Sequence, residues 1–218
     1  METTKINKKA LAILSAGHLI TDINTGALPA LLPFFKDALN LSYTLAGVIL
    51  LSANLTSSII QPAFGHLSDR KPMGWFLPLT PFIACLGMAL AGFAPNYSLL
   101  LLCVMMSGVG VASFHPEGFK TAYFFAGQKK ATGLSLFAVG GNLGIAVGPI
   151  SALALVSHFG LKGTLGLAIP GVLIAVILFL NLSWLFSPVK SAHKDAGKQV
   201  KIPITRNQKT TFLLLISI

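Results

Sequence analysis

The residues of this sequence that could do chemistry at membrane depth stand inside apolar runs. Asp22 lies near the middle of the first such run, with His18 four residues earlier. On a helix that spacing puts both side chains on one face, where they can pair. An ionisable group at membrane depth costs on the order of 3 kcal/mol unless it is paired or hydrated, so it is a functional candidate by default. An Asp–His pair can hold the carboxylate ionised or pass a proton. Asn24 and Thr25 add polarity nearby, and Pro29 can loosen the helix beyond them.

A second set lies in the fourth apolar run, as His115-Pro116-Glu117-Gly118 followed by Lys120. His115 and Glu117 are two apart and would face roughly opposite ways on an ideal helix, which Pro116 can distort. Glu117 and Lys120 are three apart and can pair. Lys120 can instead extend its ammonium toward the water interface. The bland alternative for each residue is a structural hydrogen bond or an interfacial side chain. That alternative weighs most on Lys120 and least on Asp22. His66, His158 and His193 fall at loops or run ends and read as structural.

Other patterns are set aside on physical grounds. Gly108-Val-Gly110 superficially matches a dinucleotide loop, but no strand precedes it and it lies within an apolar run, so these are packing glycines. Cys85 and Cys103 make neither a metal-ligand spacing nor a disulfide framework. A six-span serine protease would need a nucleophile context that neither Ser107 nor Ser135 supplies. No cofactor and no metal ligand set is expected.

The elements that must position these residues are membrane helices. Of 218 residues, 54% are hydrophobic and only 10% charged, against roughly 25% charged in soluble domains. Mean hydropathy is +0.77. A soluble fold of this size could not hide so much apolar surface. The net charge of +10 sits in short clusters between apolar runs, a pattern suited to anionic lipid headgroups and not to nucleic acid. No charge occurs over 72–116, 131–161 or 163–189. A span needs about 20 mainly apolar residues, so the pattern predicts six spans over 10–35, 43–65, 75–93, 97–124, 132–158 and 164–186. The N-terminal run mimics a signal peptide, but it continues past His18 and Asp22 with no small-residue cleavage site, and reads as a first span. The stretch 187–209 is polar and basic, and 210–218 is apolar again, reading as the start of a seventh span. Of the 16 Lys and Arg residues, all but Lys36 and Lys162 fall on one side of this topology. That side is expected to be cytoplasmic, with the amino terminus on it.

Two motifs join these elements to a family. The connection Gly65-His66-Leu67-Ser68-Asp69-Arg70-Lys71 resembles the signature loop between helices 2 and 3 of the major facilitator superfamily, with the basic tail shortened and the next glycine displaced to Gly74. Asp69 is expected near the start of the third helix, where the helix dipole favours an anion. In the fifth run Gly140, Gly144 and Gly148 recur every four residues before Pro149, forming one narrow stripe suited to close helix packing. The piece from Gly144 to Pro149 resembles the glycine-proline motif in helix 5 of family antiporters, although Ala152 and Leu153 stand where a later glycine pair belongs. The runs GHLITDINTGALPALLPF, NLTSSIIQPAFGHLSDR and SFHPEG together resemble the fosmidomycin-resistance efflux proteins of that superfamily.

The resemblance implies an all-α integral membrane fold: an N-terminal six-helix bundle over 1–186, a central cytoplasmic loop over 187–209 and the beginning of span 7 over 210–218. It implies a proton-coupled exporter of a small molecule or drug in a bacterial inner membrane, partnered by lipid, protons, substrate and a C-terminal half-bundle. Asp22, His18, Glu117 and His115 would carry protonation, and Lys120 could attract an anionic group. Gly65, Asp69, Arg70, Gly144, Gly148 and Pro149 would serve conformational change. The alternatives are a non-transporting fragment, or a transporter of the same family for a sugar or another metabolite.

Overall fold

A computed structural model of the chain describes residues 5–71 and 73–196, with only the backbone described for 192–196. Apart from short connections these residues are helical, and no strand occurs among them. The helices are α1 (Lys8–Ala38), α2 (Tyr43–Arg70), α3 (Phe76–Ala91), α4 (Tyr97–Phe125), α5 (Lys130–Phe159), α6 (Ala168–Leu180) and α7 (Leu182–Ala196), with a 3-10 segment, Leu161–Leu167, leading into α6. The remainder of the basic connection and the expected start of span 7 at 210–218 lie outside the described residues.

Local chemistry sets the boundaries. Asn7, Ser42 and Asn96 cap α1, α2 and α4, each accepting a hydrogen bond from the backbone N–H three residues on. Gly160, at φ +63°, takes the chain out of α5 through the left-handed region that a side chain would strain. Lys71 is extended, as a residue before proline prefers, and α2 stops there. Within the helices Thr21, Thr80 and Ser113 return their hydroxyl hydrogens to the carbonyl four residues back, which satisfies them without water.

Among the described residues four segments are long and apolar enough to cross a membrane: α2, α4, α5 and the 20-residue stretch Leu161–Leu180. α1 has ample length, 31 residues, but polar groups interrupt its middle. α3 is apolar but has only 16 residues, about 24 Å at 1.5 Å per residue. The sixth expected span, 164–186, is divided. Its helix ends at Leu180, where the Asn181 amide turns back to the Ile177 carbonyl, and α7 begins at Leu182. The stretch read as the opening of a polar loop is helical as far as Ala196.

α1 is the hub, packing against α3, α4, α5 and α6, most extensively against α5. The glycine stripe explains the α1–α5 pair. A Cβ added at Gly140, Gly144 or Gly148 would collide with the backbone carbonyl oxygen of Ser15, Leu19 or Ile23, respectively. Steps of four on α5 thus match steps of four on α1. Gly26 reciprocates, lying against the backbone of Ile145. One apolar cluster surrounds Leu31, Phe35, Ile49 and Leu100, and a second surrounds Leu14, Phe114, Phe137 and Leu178. The polar site lies among these helices.

Candidate functional site

Asp22 sits near the midpoint of α1, ~21 Å along the axis from Lys8 and ~24 Å from Ala38 at 1.5 Å per residue. It is buried, and both carboxylate oxygens have imidazole partners. His18, one turn earlier on the same helix, places Nε2 3.2 Å from Oδ2. His115, from α4, places Nε2 3.2 Å from Oδ1. The first contact follows from the i, i+4 spacing. The second joins residues 93 apart and comes from α1 packing on α4.

The environment of His18 decides its hydrogen count. Nδ1 is 2.9 Å from the backbone carbonyl oxygen of Phe137 on α5. A carbonyl only accepts, so Nδ1 carries hydrogen and donates. In a neutral imidazole Nε2 is then a bare lone pair facing a carboxylate oxygen. The 3.2 Å approach therefore needs one further proton between them, on His18 Nε2 or on Asp22 Oδ2. His115 makes no such demand, because a neutral ring can donate from Nε2 to Oδ1. The His18 ring also stacks on Phe137 at 4.2 Å between centroids and 19° between planes.

Gly141 is the residue that makes room for this pair. A Cβ there would lie 2.5 Å from His18 Nε2 and 2.8 Å from Asp22 Oδ2. Sequence reasoning singled out the stripe of 140, 144 and 148 and passed over Gly141 and Phe137. The doubled glycine at 140–141 was the available signal, since only one of the two belongs to the stripe.

Glu117 lies elsewhere. It is buried on α4, facing α2, where the Ser68 hydroxyl donates to its Oε1 and Oε2 has no partner among the described residues. The expected Glu117–Lys120 pair is replaced by a relay. Lys120 donates to the Ser68 oxygen and forms an ion pair with Asp69 at 3.1 Å. Asp69 is in the last turn of α2, not near the start of the third helix as expected, because the chain stays helical through Gly65 and leaves only at Lys71. At that end the α2 dipole disfavours an anion, and Lys120 supplies the compensating charge. Arg70 is exposed on the same turn, and Gly65 faces the Pro116 ring 4.0 Å from an added Cβ. Pro149 lies within α5, just past the stripe. The structure thus brings Asp22, His18 and His115 into one cluster, and Glu117, Ser68, Lys120 and Asp69 into another.

A cavity of about 300 Å³ opens between α1, α2, α3 and α4, with Asn24, Thr25, Asn54, Ser57 and Ser107 among its lining residues and no charged one. Asn24 donates to the carbonyls of Ile20 and Thr21 and to Cys85 Sγ, which fixes its amide and ties α1 to α3.

An all-helical membrane protein with ionisable groups held between its helices is the class these features define. The chain belongs to the Major Facilitator Superfamily, whose family model matches residues 14–218. It is 32% identical over 191 residues to an uncharacterized MFS-type transporter of Bacillus subtilis, covering 88% of this chain and 47% of the relative. It is 30% identical over 199 residues to the fosmidomycin resistance protein of Escherichia coli, covering 91% and 49%. A probable L-galactonate transporter of Escherichia coli is 25% identical over 199 residues, covering 88% and 44%. The chain spans about half the length of these relatives.

Proposed function

We propose that the chain forms the N-terminal bundle of a secondary transporter that exports a small molecule across the bacterial inner membrane in exchange for protons. In this reading residues 1–186 make six spans with the amino terminus cytoplasmic, 187–209 form the central loop, and 210–218 begin a seventh span leading to a second bundle. Substrate would bind at the midplane between the bundles.

The observation that carries the proposal is the buried cluster near the midpoint of α1, in which Asp22 is held by His18 on its own helix and by His115 on α4, with His18 tied to α5 through the Phe137 carbonyl. Gain and loss of a proton within this cluster would change how α1 is held to α4 and α5. Glu117, with one carboxylate oxygen unpartnered among the described residues, is the second candidate carrier. Lys120 in this reading belongs to the clasp between α2 and α4, since its ammonium is engaged by Asp69 and Ser68. The uncharged cavity by Asn24 and Ser107 would take a neutral polar part of the substrate. Resistance to fosmidomycin, named for one relative, makes a fosmidomycin-like compound the first substrate to test.

The experiment is export of labelled fosmidomycin from cells expressing the protein, with and without an uncoupler. Asp22→Asn keeps shape and hydrogen bonds but cannot titrate. It should abolish uncoupler-sensitive export while membrane expression stays normal. Normal, still uncoupler-sensitive export by Asp22→Asn would sink the proton assignment.

A further inference from the structure

The cluster between α1 and α4 has a second chemical identity. Two imidazoles and one carboxylate are the donor set of a transition-metal site. The ligand atoms His18 Nε2, one Asp22 oxygen and His115 Nε2 all lie within 4.8 Å of one another. We propose that these three residues bind a divalent first-row transition ion, of which Zn²⁺ is the representative.

The spacing supports it. A tetrahedral ion with bonds of about 2.0 Å holds its ligand atoms ~3.3 Å apart. The two nitrogens approach the carboxylate at 3.2 Å each, His18 at Oδ2 and His115 at Oδ1, and all three ligand atoms lie within 4.8 Å of one another, so small side-chain rotations would draw one oxygen and both nitrogens onto a common ion. His115 is the freest of the three, its side chain 18% exposed against 7% for His18 and 8% for Asp22. The same exposure provides the way in for an ion and a place for water at the fourth position.

The surroundings match what a ligating histidine needs. A metal-bound imidazole nearly always donates its other N–H to a carbonyl or carboxylate, which fixes the tautomer and aims the ring. His18 does so through Nδ1 to the Phe137 carbonyl, leaving Nε2 turned toward Asp22. Gly141 leaves open the space beside Nε2 and Oδ2 that a side chain would fill. The donor set is nitrogen and oxygen only, which suits Zn²⁺ and its neighbours better than Mg²⁺ or Ca²⁺. An ion at this point would pin α1 to α4. The inference stands on the donor geometry and does not depend on the transport reading.

Metal content of the purified chain tests it, with no polyhistidine tag and after stripping with a chelator. Equilibrium dialysis against Zn²⁺ should give one ion per chain. X-ray absorption of the loaded wild-type protein should report two imidazole ligands and no sulfur, since Cys85 on α3 is engaged with Asn24 and Ile20 and not with the cluster. Asp22→Asn and His115→Ala should each weaken binding about tenfold or more, the scale on which metal sites lose affinity when their shells are disturbed. His158→Ala, at an exposed helix end, should bind as wild type. Stoichiometric binding that survives the double change His18→Ala/His115→Ala would overturn the proposal, as would the absence of bound Zn²⁺ from the wild-type chain. If the variants fail to fold, the wild-type absorption spectrum decides, with sulfur or a single imidazole counting against. A protein that binds Zn²⁺ yet exports without Asp22 refutes only the proton reading, and one that couples to protons yet binds no Zn²⁺ refutes only the metal site.

Discussion

Gly144→Ala tests whether the α1–α5 contact depends on the glycine stripe. The added Cβ would lie 3.0 Å from Ile23 N and from the Leu19 carbonyl carbon, and closer still to Leu19 O. Carbon atoms in contact sit about 3.5–4.0 Å apart. The obstacle is backbone, so no side chain can rotate away, and the two helices must separate by on the order of 1 Å. Overpacking of this kind costs about 1–3 kcal/mol. In a protein of 150–250 residues each kcal/mol shifts the melting temperature by roughly 2–4 °C, which gives a fall of about 2–12 °C. The assay is thermal unfolding in detergent followed with a thiol-reactive dye, because both free cysteines, Cys85 and Cys103, are buried and react only as the bundle opens. Gly47→Ala on α2 is the control, since nothing lies within 4 Å of the added carbon. It should leave the melting temperature unchanged or raise it, as replacing a helical glycine by alanine gains about 0.5–1 kcal/mol. If Gly144→Ala melts with Gly47→Ala, close packing along the stripe is not what holds α1 to α5.

Gly141→Ala places its carbon against His18 Nε2 and Asp22 Oδ2. It should therefore reduce proton-driven export at least tenfold while shifting the melting temperature less than Gly144→Ala, and full export would remove Gly141 from the site. For topology, with Cys85 and Cys103 replaced by serine, a cysteine at Asn96 should react with a membrane-impermeant thiol reagent in intact cells and one at Asn7 should not. The reverse pattern would invert the orientation drawn from the lysine and arginine distribution.

What could be read from the sequence was whatever depends on one helix at a time. Long apolar helices follow from charge-free runs, the glycine stripe from its period of four, and the His18–Asp22 contact from their spacing within α1. What failed depends on two helices meeting. The three-residue spacing lets Glu117 and Lys120 pair directly, or Lys120 reach the interface instead, but it cannot show that Ser68 on α2 comes between them and takes a hydrogen bond with each. His115 reaches Asp22 across 93 residues, which no local pattern encodes. Asp69 is expected near the third helix because the segment from Gly65 resembles a loop between helices 2 and 3, but α2 runs on to Arg70, a glycine inside a long packed helix carrying too small a penalty, about 1 kcal/mol, to end it. Asn181, where the sixth expected span is interrupted, sits in an apolar run where its single polar side chain gives little warning.

The glycine stripe and the polar cluster share the α1–α5 interface for a reason that neither explains alone. His18 can donate to the Phe137 carbonyl at 2.9 Å only if α5 lies close to α1. That closeness is what Gly140 and Gly144 permit, by leaving no side chain between the α5 backbone and the carbonyls of Ser15 and Leu19. Phe137 stands one turn before Gly141, and Gly141 one position off the stripe, so the same stretch of α5 supplies the acceptor for Nδ1, the ring that covers the imidazole and the gap that admits the carboxylate. Close approach also excludes water, which makes every unpaired polar atom there expensive and every paired one strong. The result is an acid near the middle of a membrane-length helix, both of whose oxygens are bonded, with ligands from two helices and an anchor on a third. Widening the α1–α5 gap would break the Nδ1 bond first, and with it the tautomer that fixes how Asp22 is held.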